Sequence, residues 1–289
     1  MEKIALVTGC SSGIGMATSL KLAREGFYTF ASMRNVSKGE HLKELAKSEK
    51  LPLEVIELDV SKPQNIDSVF EKIKTTKKRL DVLVNNAGFM IMGSFEDIPM
   101  EKFVSQLTTD FFGPVLMMKK AIPLMRSQEE NNSGLRGNII NVSSIAGKIP
   151  FAYASAYISS KFAIEGISEC IQDEVQDKGI KINIIEPGVV KTDFFKNTDT
   201  LISDNSPYRD IVELWTNTAK KLFEVTLNTS EDVAEKIFEC IEDSESELRI
   251  PVGDDAEQFL EMHHEYSKDP QEFKKWLAEE MEKLFTATK

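Results

Sequence analysis

Short apolar segments alternate with longer amphipathic segments along most of the 289-residue chain. This alternation constrains the fold most, because strands that alternate with helices form βαβ units around a parallel sheet covered on both faces. Right-handed crossovers then favour a Rossmann-like, doubly wound α/β fold with a mostly parallel, seven-stranded sheet. The predicted strands are residues 4–7, 28–33, 53–58, 81–85, 138–143, 181–186 and, less clearly, 248–252.

The sequence predicts a single domain over residues 1–256, followed by a charged, mainly helical extension at 257–289 whose role is unknown. Residues 190–229 show no obvious strand, and the part at about 190–225 is expected to form a lid over the substrate. Helical periodicity predicts helices between the strands at 13–25, 62–76, 155–177 and 230–243.

The composition excludes several classes of protein. The formal net charge is −12, so the positive surface of a general nucleic-acid-binding protein is missing. Cys10, Cys170 and Cys240 form no CxxC pair, and the three histidines lack metal-ligand spacing. No apolar run reaches the roughly 18–20 residues that span a bilayer, and no signal peptide is evident. We expect a cytoplasmic protein with no nucleic-acid partner, no membrane span and no metal.

A glycine-rich segment, "TGCSSGIG" at 8–15, follows the first predicted strand and opens the first predicted helix. Its glycines permit a tight turn and a close approach of the backbone to a phosphate, and the helix N-terminus offers unpaired N–H groups. The alternative is a plain strand-to-helix turn. The context favours a dinucleotide site formed by Gly9, Ser11, Ser12, Gly13, Ile14 and Gly15.

The end of the second predicted strand indicates which dinucleotide binds. An acidic residue there would hold the ribose of NAD, whereas a basic residue accommodates the 2′-phosphate of NADP. The sequence reads "ASMRN", with Met33 at the acidic position and Arg34 after it. NADP(H) is therefore favoured over NAD(H), with Ser12 and Ser32 as further hydroxyl contacts. The alternative is that Arg34 only points into solvent.

A second group of motifs lies at the carboxyl ends of later strands, where open α/β sheets bind ligands. These are "NNAG" at 85–88, "NVSSIAG" at 141–147 and "EPGVVKT" at 186–192. In "SAYISSK", at 155–161, Tyr157 and Lys161 are four residues apart and share one helix face. Taken alone, that pair is typical of a solvated helix surface.

Together these motifs resemble the classical short-chain dehydrogenase/reductase (SDR) family of the Tyr-x-x-x-Lys type over roughly residues 4–256. The resemblance implies that Tyr157 is the general acid/base, that Ser144 orients the substrate oxygen and that Lys161 binds the nicotinamide ribose. It implies that the glycine loop and Arg34 are joined in cofactor binding by Asp59, Val60, Asn86, Ala87, Gly88, Tyr157, Lys161, Pro187, Gly188, Val190 and Thr192. A helix cap is a rival role for Asp59.

The pairing of Tyr157 with Lys161 has a physical rationale. A free phenol has a pKa near 10 and ionises too little at neutral pH for efficient proton transfer. Two unit charges about 4 Å apart interact by about 4 kcal/mol at an effective dielectric constant near 20. That energy corresponds to a pKa decrease of about three. We therefore expect Lys161 to lower the pKa of Tyr157.

One residue departs from the family pattern. The family usually has an asparagine in the helix after the fourth strand, where it supports a proton relay to the lysine. The segment "TTDFFGP", at 108–114, has Asp110 there. If its side chain matters, a carboxylate near Lys161 would weaken the effect of the lysine on Tyr157. The alternative is that Asp110 is a solvated helix residue.

The function expected from these motifs is an NADP-dependent oxidoreductase that interconverts a secondary alcohol and a carbonyl compound. Its substrate is a small molecule, and Phe89–Met92 together with aromatic residues in the lid weakly indicate an apolar one, although such residues are more often core. One alternative is an NADP(H)-binding sensor or scaffold without turnover. A sugar-nucleotide epimerase or dehydratase is disfavoured by the glycine spacing. The family resemblance implies a homodimer or homotetramer through helices at 108–127 and 155–177.

Overall fold

A computed structural model of the protein describes residues 2–131, 133–195 and 198–287. Seven strands form one sheet in the order β3-β2-β1-β4-β6-β7-β9, and all of its strand pairs are parallel. β5 and β8 form a separate parallel pair. The strands are β1 (Ile4–Thr8), β2 (Tyr28–Met33), β3 (Leu53–Glu57), β4 (Val82–Asn85), β5 (Ile91–Gly93), β6 (Gly137–Val142), β7 (Ile180–Pro187), β8 (Asp199–Leu201) and β9 (Arg249–Val252).

Helices connect the strands and cover the sheet. The first turn of α1 directly follows the glycine loop, and α6 follows the turn after β6. The α-helices are α1 (Gly13–Arg24), α2 (Glu40–Glu49), α3 (Pro63–Thr76), α4 (Met100–Leu107), α5 (Gly113–Arg126), α6 (Ser155–Val175), α7 (Arg209–Val225), α8 (Ser230–Glu242), α9 (Asp254–Glu265) and α10 (Pro270–Ala287).

Two apolar cores lie on opposite faces of the sheet. Alternate residues of a strand point to opposite faces, and in β1 the side chains of Ile4 and Leu6 join one core while Ala5 and Val7 join the other. Every residue of β1 is buried for this reason. The strand therefore reads as a continuous apolar run, which is typical of a doubly wound sheet. The predicted fold class is confirmed, and the seven predicted strands have nearly their predicted bounds.

The expectation that 190–229 contains no strand is wrong. Asp199–Leu201 forms β8 and pairs in parallel with Ile91–Gly93. The strand has three residues, and two of them are polar, so it carries no periodic apolar pattern that sequence reading detects. The rest of the segment contains α7.

The extension after Gly253 is helical, as predicted, and consists of α9 and α10 joined by a short turn at Tyr266–Lys268. Among the described residues, no helix is long and apolar enough to cross a membrane.

Replacement of Phe30 by alanine tests the core assignment. Phe30 is fully buried in β2, so Phe30→Ala is expected to lower the free energy of unfolding by about 3–5 kcal/mol through lost burial and an unfilled cavity. Urea unfolding measures the change. Phe95 is 76% exposed, and the control Phe95→Ala is expected to change the stability by less than about 0.5 kcal/mol. Equal losses in the two variants would contradict the assigned core.

Candidate functional site

The carboxyl ends of β1, β4, β6 and β7 meet at one edge of the sheet, where a cleft of about 1240 Å³ opens. Loops after these strands and segments from the lid and the C-terminal extension line it. The residues that the sequence predicts for the site and that line the cleft are Gly9, Ser11, Ser12, Gly13, Ile14, Arg34, Val60, Asn86, Ala87, Gly88, Ser144, Tyr157, Lys161, Pro187, Gly188, Val190 and Thr192. Gly15, Asp59 and Asp110 lie outside that lining.

The glycine loop has a conformation that requires glycine. Gly9 has φ +74°, in the left-handed region, and a Cβ there would lie 2.8 Å from the Cα of Ala87. At Gly15, the last residue of the glycine-rich segment, a Cβ would lie 2.4 Å from Asn86 Nδ2. Asn86 Nδ2 donates a hydrogen bond of 2.8 Å to the carbonyl of Thr8. The loop is thus fixed to the end of β4, and the N-terminus of α1 faces the cleft.

Two cations lie where β2 ends. Arg34 and Lys38 are both exposed, and both line the cleft. The turn at Val36–Gly39 brings Lys38 back towards the cleft. Sequence reasoning missed Lys38, because nothing in the local pattern indicates how that turn folds. The expected contact from Ser32 is wrong: its side chain is buried and donates to the carbonyl of Val7 over 2.9 Å.

Asp59 is engaged in a local turn. Its carboxylate accepts hydrogen bonds from the backbone N–H of Ser61 (3.0 Å) and from the Ser61 hydroxyl (2.6 Å), and Lys62 Nζ lies 3.5 Å away. Partial burial opposes ionisation, but the bonds from Ser61 hold the pKa of Asp59 below its ordinary value. Val60 and Ser61 line the cleft beside it. The adenine contact of Asp59 stays a prediction.

The structure brings Ser144, Tyr157 and Lys161 together at the centre of the cleft. Ser144 begins the turn after β6, where its hydroxyl accepts a 3.1 Å bond from the N–H of Ala146 and donates to the carbonyl of Pro187 over 3.4 Å. Tyr157 and Lys161 lie one turn apart on α6, with Lys161 Nζ 5.5 Å from the centre of the phenol ring.

The charge environment of Tyr157 differs from the expectation. Burial raises the pKa of Tyr157, and the carboxylate of Asp110 raises it further, whereas a hydrogen bond with Ser144 lowers it. The pKa of Tyr157 is thus raised, opposite to the expected decrease, and Lys161 is not among the causes of this shift. The ammonium of Lys161 is itself buried, which lowers the pKa of Lys161, and it donates to the carbonyl of Val142 over 3.0 Å.

Asp110 lies behind the wall of the cleft, on a π-helical turn at Thr108–Phe112 between α4 and α5. It is 2% exposed, so the alternative of a solvated helix residue is wrong. Its Oδ1 accepts a 3.3 Å bond from the N–H of Phe89, while its buried Oδ2 has no hydrogen-bond partner among the described residues and packs against Gly88. Burial raises the pKa of Asp110 to about 7, although Lys161 acts in the opposite direction.

Apolar side chains line the part of the cleft formed by the segment after β4 and by the predicted lid. Met90 and Met92 line it after β4, and Phe194, Trp215 and Phe223 line it from the predicted lid. Two other aromatic residues of that segment do not line it: the ring of Phe195 packs against that of Phe223 at 5.2 Å, and Tyr208 is exposed outside the cleft.

The C-terminal extension also reaches the cleft, through Gln258, Phe259, Trp276 and Glu280. Sequence reasoning missed these residues, because an aromatic residue on an amphipathic helix gives no signal that separates a site from a core. Within 2–131, 133–195 and 198–287, no group of three or more His, Cys, Asp or Glu residues is arranged to hold a metal ion.

The sequence and the fold are similar to those of known dehydrogenases. Residues 3–201 match the family described as short chain dehydrogenase. An uncharacterised oxidoreductase of Bacillus subtilis, YusZ, is 36% identical over 87% of this chain and 89% of its own length. The crystal structure of a short-chain dehydrogenase from Streptomyces avermitilis superposes with a TM-score of 0.80 at 30% identity and covers 100% of both chains. ElxO with NADP bound has a TM-score of 0.71 at 27% identity, over 87% of this chain and 97% of its own.

Asp110→Asn tests the buried carboxyl. Because the pKa of Asp110 is raised from 3.8 to about 7, the folded protein keeps this proton to a higher pH than the unfolded chain does. The unfolding free energy of the wild type therefore falls as the pH rises from about 4 to about 7. A pKa difference of about three corresponds to about 4 kcal/mol. Because Asp110→Asn has no carboxyl group to ionise, it is expected to raise the free energy of unfolding above neutral pH by up to that amount.

Urea unfolding at pH 5 and pH 8 measures this difference. The stabilisation by Asp110→Asn is expected to be larger at pH 8. Asp173→Asn, at an exposed position of α6, is the control and is expected to show no such dependence. An Asp110→Asn effect that is the same at both pH values would contradict the raised pKa.

Proposed function

Since the chain belongs to the short-chain dehydrogenase family, we propose that it is an NADP-dependent oxidoreductase that interconverts a secondary alcohol and a carbonyl compound by hydride transfer. One observation carries the proposal: Ser144, Tyr157 and Lys161 line the same cleft as the glycine loop. The volume of about 1240 Å³ exceeds the roughly 300–1,000 Å³ of a pocket for one drug-sized ligand. It therefore has room for a dinucleotide together with a substrate.

The residues of the cleft fit a nicotinamide dinucleotide. The pyrophosphate would lie at the glycine loop and the N-terminus of α1, where unpaired N–H groups attract anions. Lys161 uses one donor on Val142 and has others for the hydroxyls of the nicotinamide ribose. When bound, the reduced cofactor would supply the hydride.

The preference for NADP rests on Arg34 and Lys38. Both side chains are exposed and line the cleft where β2 ends, at the position that distinguishes the two dinucleotides. Two cations there favour a 2′-phosphate, and the related ElxO has NADP bound.

Tyr157 is proposed to give a proton to the substrate oxygen during reduction. Its phenol is protonated at neutral pH, as an ordinary phenol is, and burial and Asp110 raise its pKa further. The protonated form is the one that a general acid needs. Ser144, beside it in the cleft, would hold the same oxygen by a hydrogen bond.

Asp110 is proposed to act as a positioning residue. It lies behind Gly88 and interacts electrostatically with both Tyr157 and Lys161. Its raised pKa places its charge change near neutrality, so its protonation state would influence the pH at which Tyr157 works.

An NADP(H)-binding sensor without turnover is the second candidate. The observation that favours the sensor is the carboxyl of Asp110. An asparagine is usual at that position in the family, and Asp110 raises the pKa of the Tyr157 phenol.

We also propose a homodimer or homotetramer through α5 and α6. Phe112, just before α5, is 52% exposed, and Phe162 on α6 is 43% exposed. Large apolar side chains exposed on neighbouring helices are typical of a surface that another subunit covers.

Tyr157→Phe tests the catalytic role. Removal of the phenolic proton is expected to lower kcat/KM for carbonyl reduction by about 10²–10⁴-fold, while the Kd for NADPH, measured by fluorescence titration, stays unchanged. Tyr153→Phe removes a hydroxyl from a tyrosine just before α6 and is expected to keep the activity. Full activity of Tyr157→Phe would refute the general-acid assignment. Tight NADPH binding by the wild type, without turnover of a broad carbonyl panel, would favour the sensor.

The cofactor preference is tested by a double variant, Arg34→Ala with Lys38→Ala. Loss of hydrogen bonds to a charged group, at about 1.5–3 kcal/mol, is expected to raise the Kd for NADPH by about 10–100-fold. The Kd for NADH is expected to change little. Lys43→Ala removes a cation of α2 that pairs with Glu40 and serves as control. An equal rise in the Kd for NADPH and in the Kd for NADH would show that Arg34 and Lys38 do not bind the 2′-phosphate.

A further inference from the structure

Part of the substrate side of the cleft comes from residues beyond those that match the family. The match ends at residue 201. Beyond it, α7 contributes Trp215 and Phe223, and the C-terminal extension contributes Phe259 from α9 and Trp276 from α10. These four residues therefore lie outside the part of the chain that matches the family and are candidates for contacts with the substrate.

The first turn of α9 is fixed to the loop after β7. Asp255 Oδ2 accepts a 2.7 Å hydrogen bond from the N–H of Val189, and its Oδ1 accepts a 2.7 Å bond from Asn228 Nδ2. Val189 directly follows Gly188, which the sequence predicts for cofactor binding, and both line the cleft. The carboxylate also lies at the positive end of the α9 dipole. The extension is therefore held at the side of the cleft where the reaction is proposed.

Trp276 is held between two other aromatic rings. Its ring lies 5.4 Å from that of Phe259, edge to face, and 5.7 Å from that of Phe273, nearly parallel. Phe273 is 6% exposed and packs in turn on His263. Such packing restricts the indole to one orientation, so it presents a fixed apolar surface to the cleft.

Apolar surface also adjoins the proposed proton donor. The ring of Phe194 lies 6.0 Å from that of Tyr157, and Met90 and Met92 line the same cleft. An apolar chain that extends from a reacting carbonyl beside Tyr157 would therefore meet apolar side chains along the cleft.

We propose that Phe259 and Trp276 are specificity-determining residues that cover the apolar chain of a long-chain ketone or secondary alcohol. The proposal rests on the proposed oxidoreductase function and specifies its substrate class. Each methylene group that Phe259 and Trp276 cover adds hydrophobic binding energy equivalent to about a fourfold gain in kcat/KM.

The test measures kcat/KM of the full-length protein with NADPH and straight-chain 2-alkanones from 2-butanone to 2-dodecanone. For the wild type, kcat/KM is expected to rise with chain length. Trp276→Ala and, independently, Phe259→Ala are expected to lose about tenfold or more in kcat/KM on 2-dodecanone and a much smaller factor on 2-butanone. Trp276→Phe, which keeps an aromatic ring, is expected to retain most of the chain-length dependence.

Leu277→Ala is the matched control on the same helix. Leu277 lines a separate cavity of about 190 Å³ with Phe273 and His263, so the control is expected to follow the wild-type series. If kcat/KM rises equally with chain length in the wild type, Trp276→Ala and Phe259→Ala, the proposed role of Phe259 and Trp276 is refuted. Turnover of the 2-alkanones would still support the oxidoreductase function. A wild-type series that does not rise with chain length would overturn the substrate class. Absence of turnover on every 2-alkanone, together with turnover of other carbonyl compounds, would also overturn the substrate class. Absence of turnover on a broad carbonyl panel, with NADPH still bound, would count against the oxidoreductase function itself.

Discussion

A chain of buried side-chain hydrogen bonds fixes the helix that carries the proposed catalytic residues. Asn85 Nδ2, at the end of β4, donates to Asn141 Oδ1 in β6 over 2.8 Å, and Asn141 Nδ2 donates to the hydroxyl of Ser168 in α6 over 2.8 Å. All three residues are buried, where an amide without a partner would cost about 1–3 kcal/mol. Rotation of α6 against the sheet would break these bonds. They therefore hold Tyr157 and Lys161 towards the edge where the loops meet.

Burial decides the protonation of that site more than the pairing of charges does. The phenol of Tyr157 keeps its proton, Asp110 has a pKa near neutrality and the pKa of Lys161 is lowered, and in each case burial is the largest cause. Asp110 opposes the effect that a lysine beside a phenol would otherwise have. The phenol is therefore neutral, which is the form that a general acid needs.

Residue patterns predicted the fold and most of the cleft, because apolar periodicity and glycine spacing reflect local geometry directly. The parallel sheet is confirmed, and the cleft collects the glycine loop with Ser144, Tyr157 and Lys161. The pKa shift of Tyr157 was predicted in the wrong direction, because burial depends on packing that no local pattern reveals. For the same reason, β8 and the contributions of Lys38 and Trp276 to the cleft depend on long-range folding that the sequence does not display.

The proposed function requires that a hydride pass in this cleft from a nicotinamide to a carbonyl carbon. The most direct measurement uses NADPH that carries deuterium at the transferable position of the ring, as each of its two stereoisomers, together with 2-dodecanone and the full-length protein. With one of the two isomers, mass spectrometry is expected to find one deuterium on the carbinol carbon of the alcohol. Alcohol that carries no deuterium with either isomer would refute hydride transfer, and so would the absence of alcohol from 2-dodecanone and from every other compound of a broad carbonyl panel.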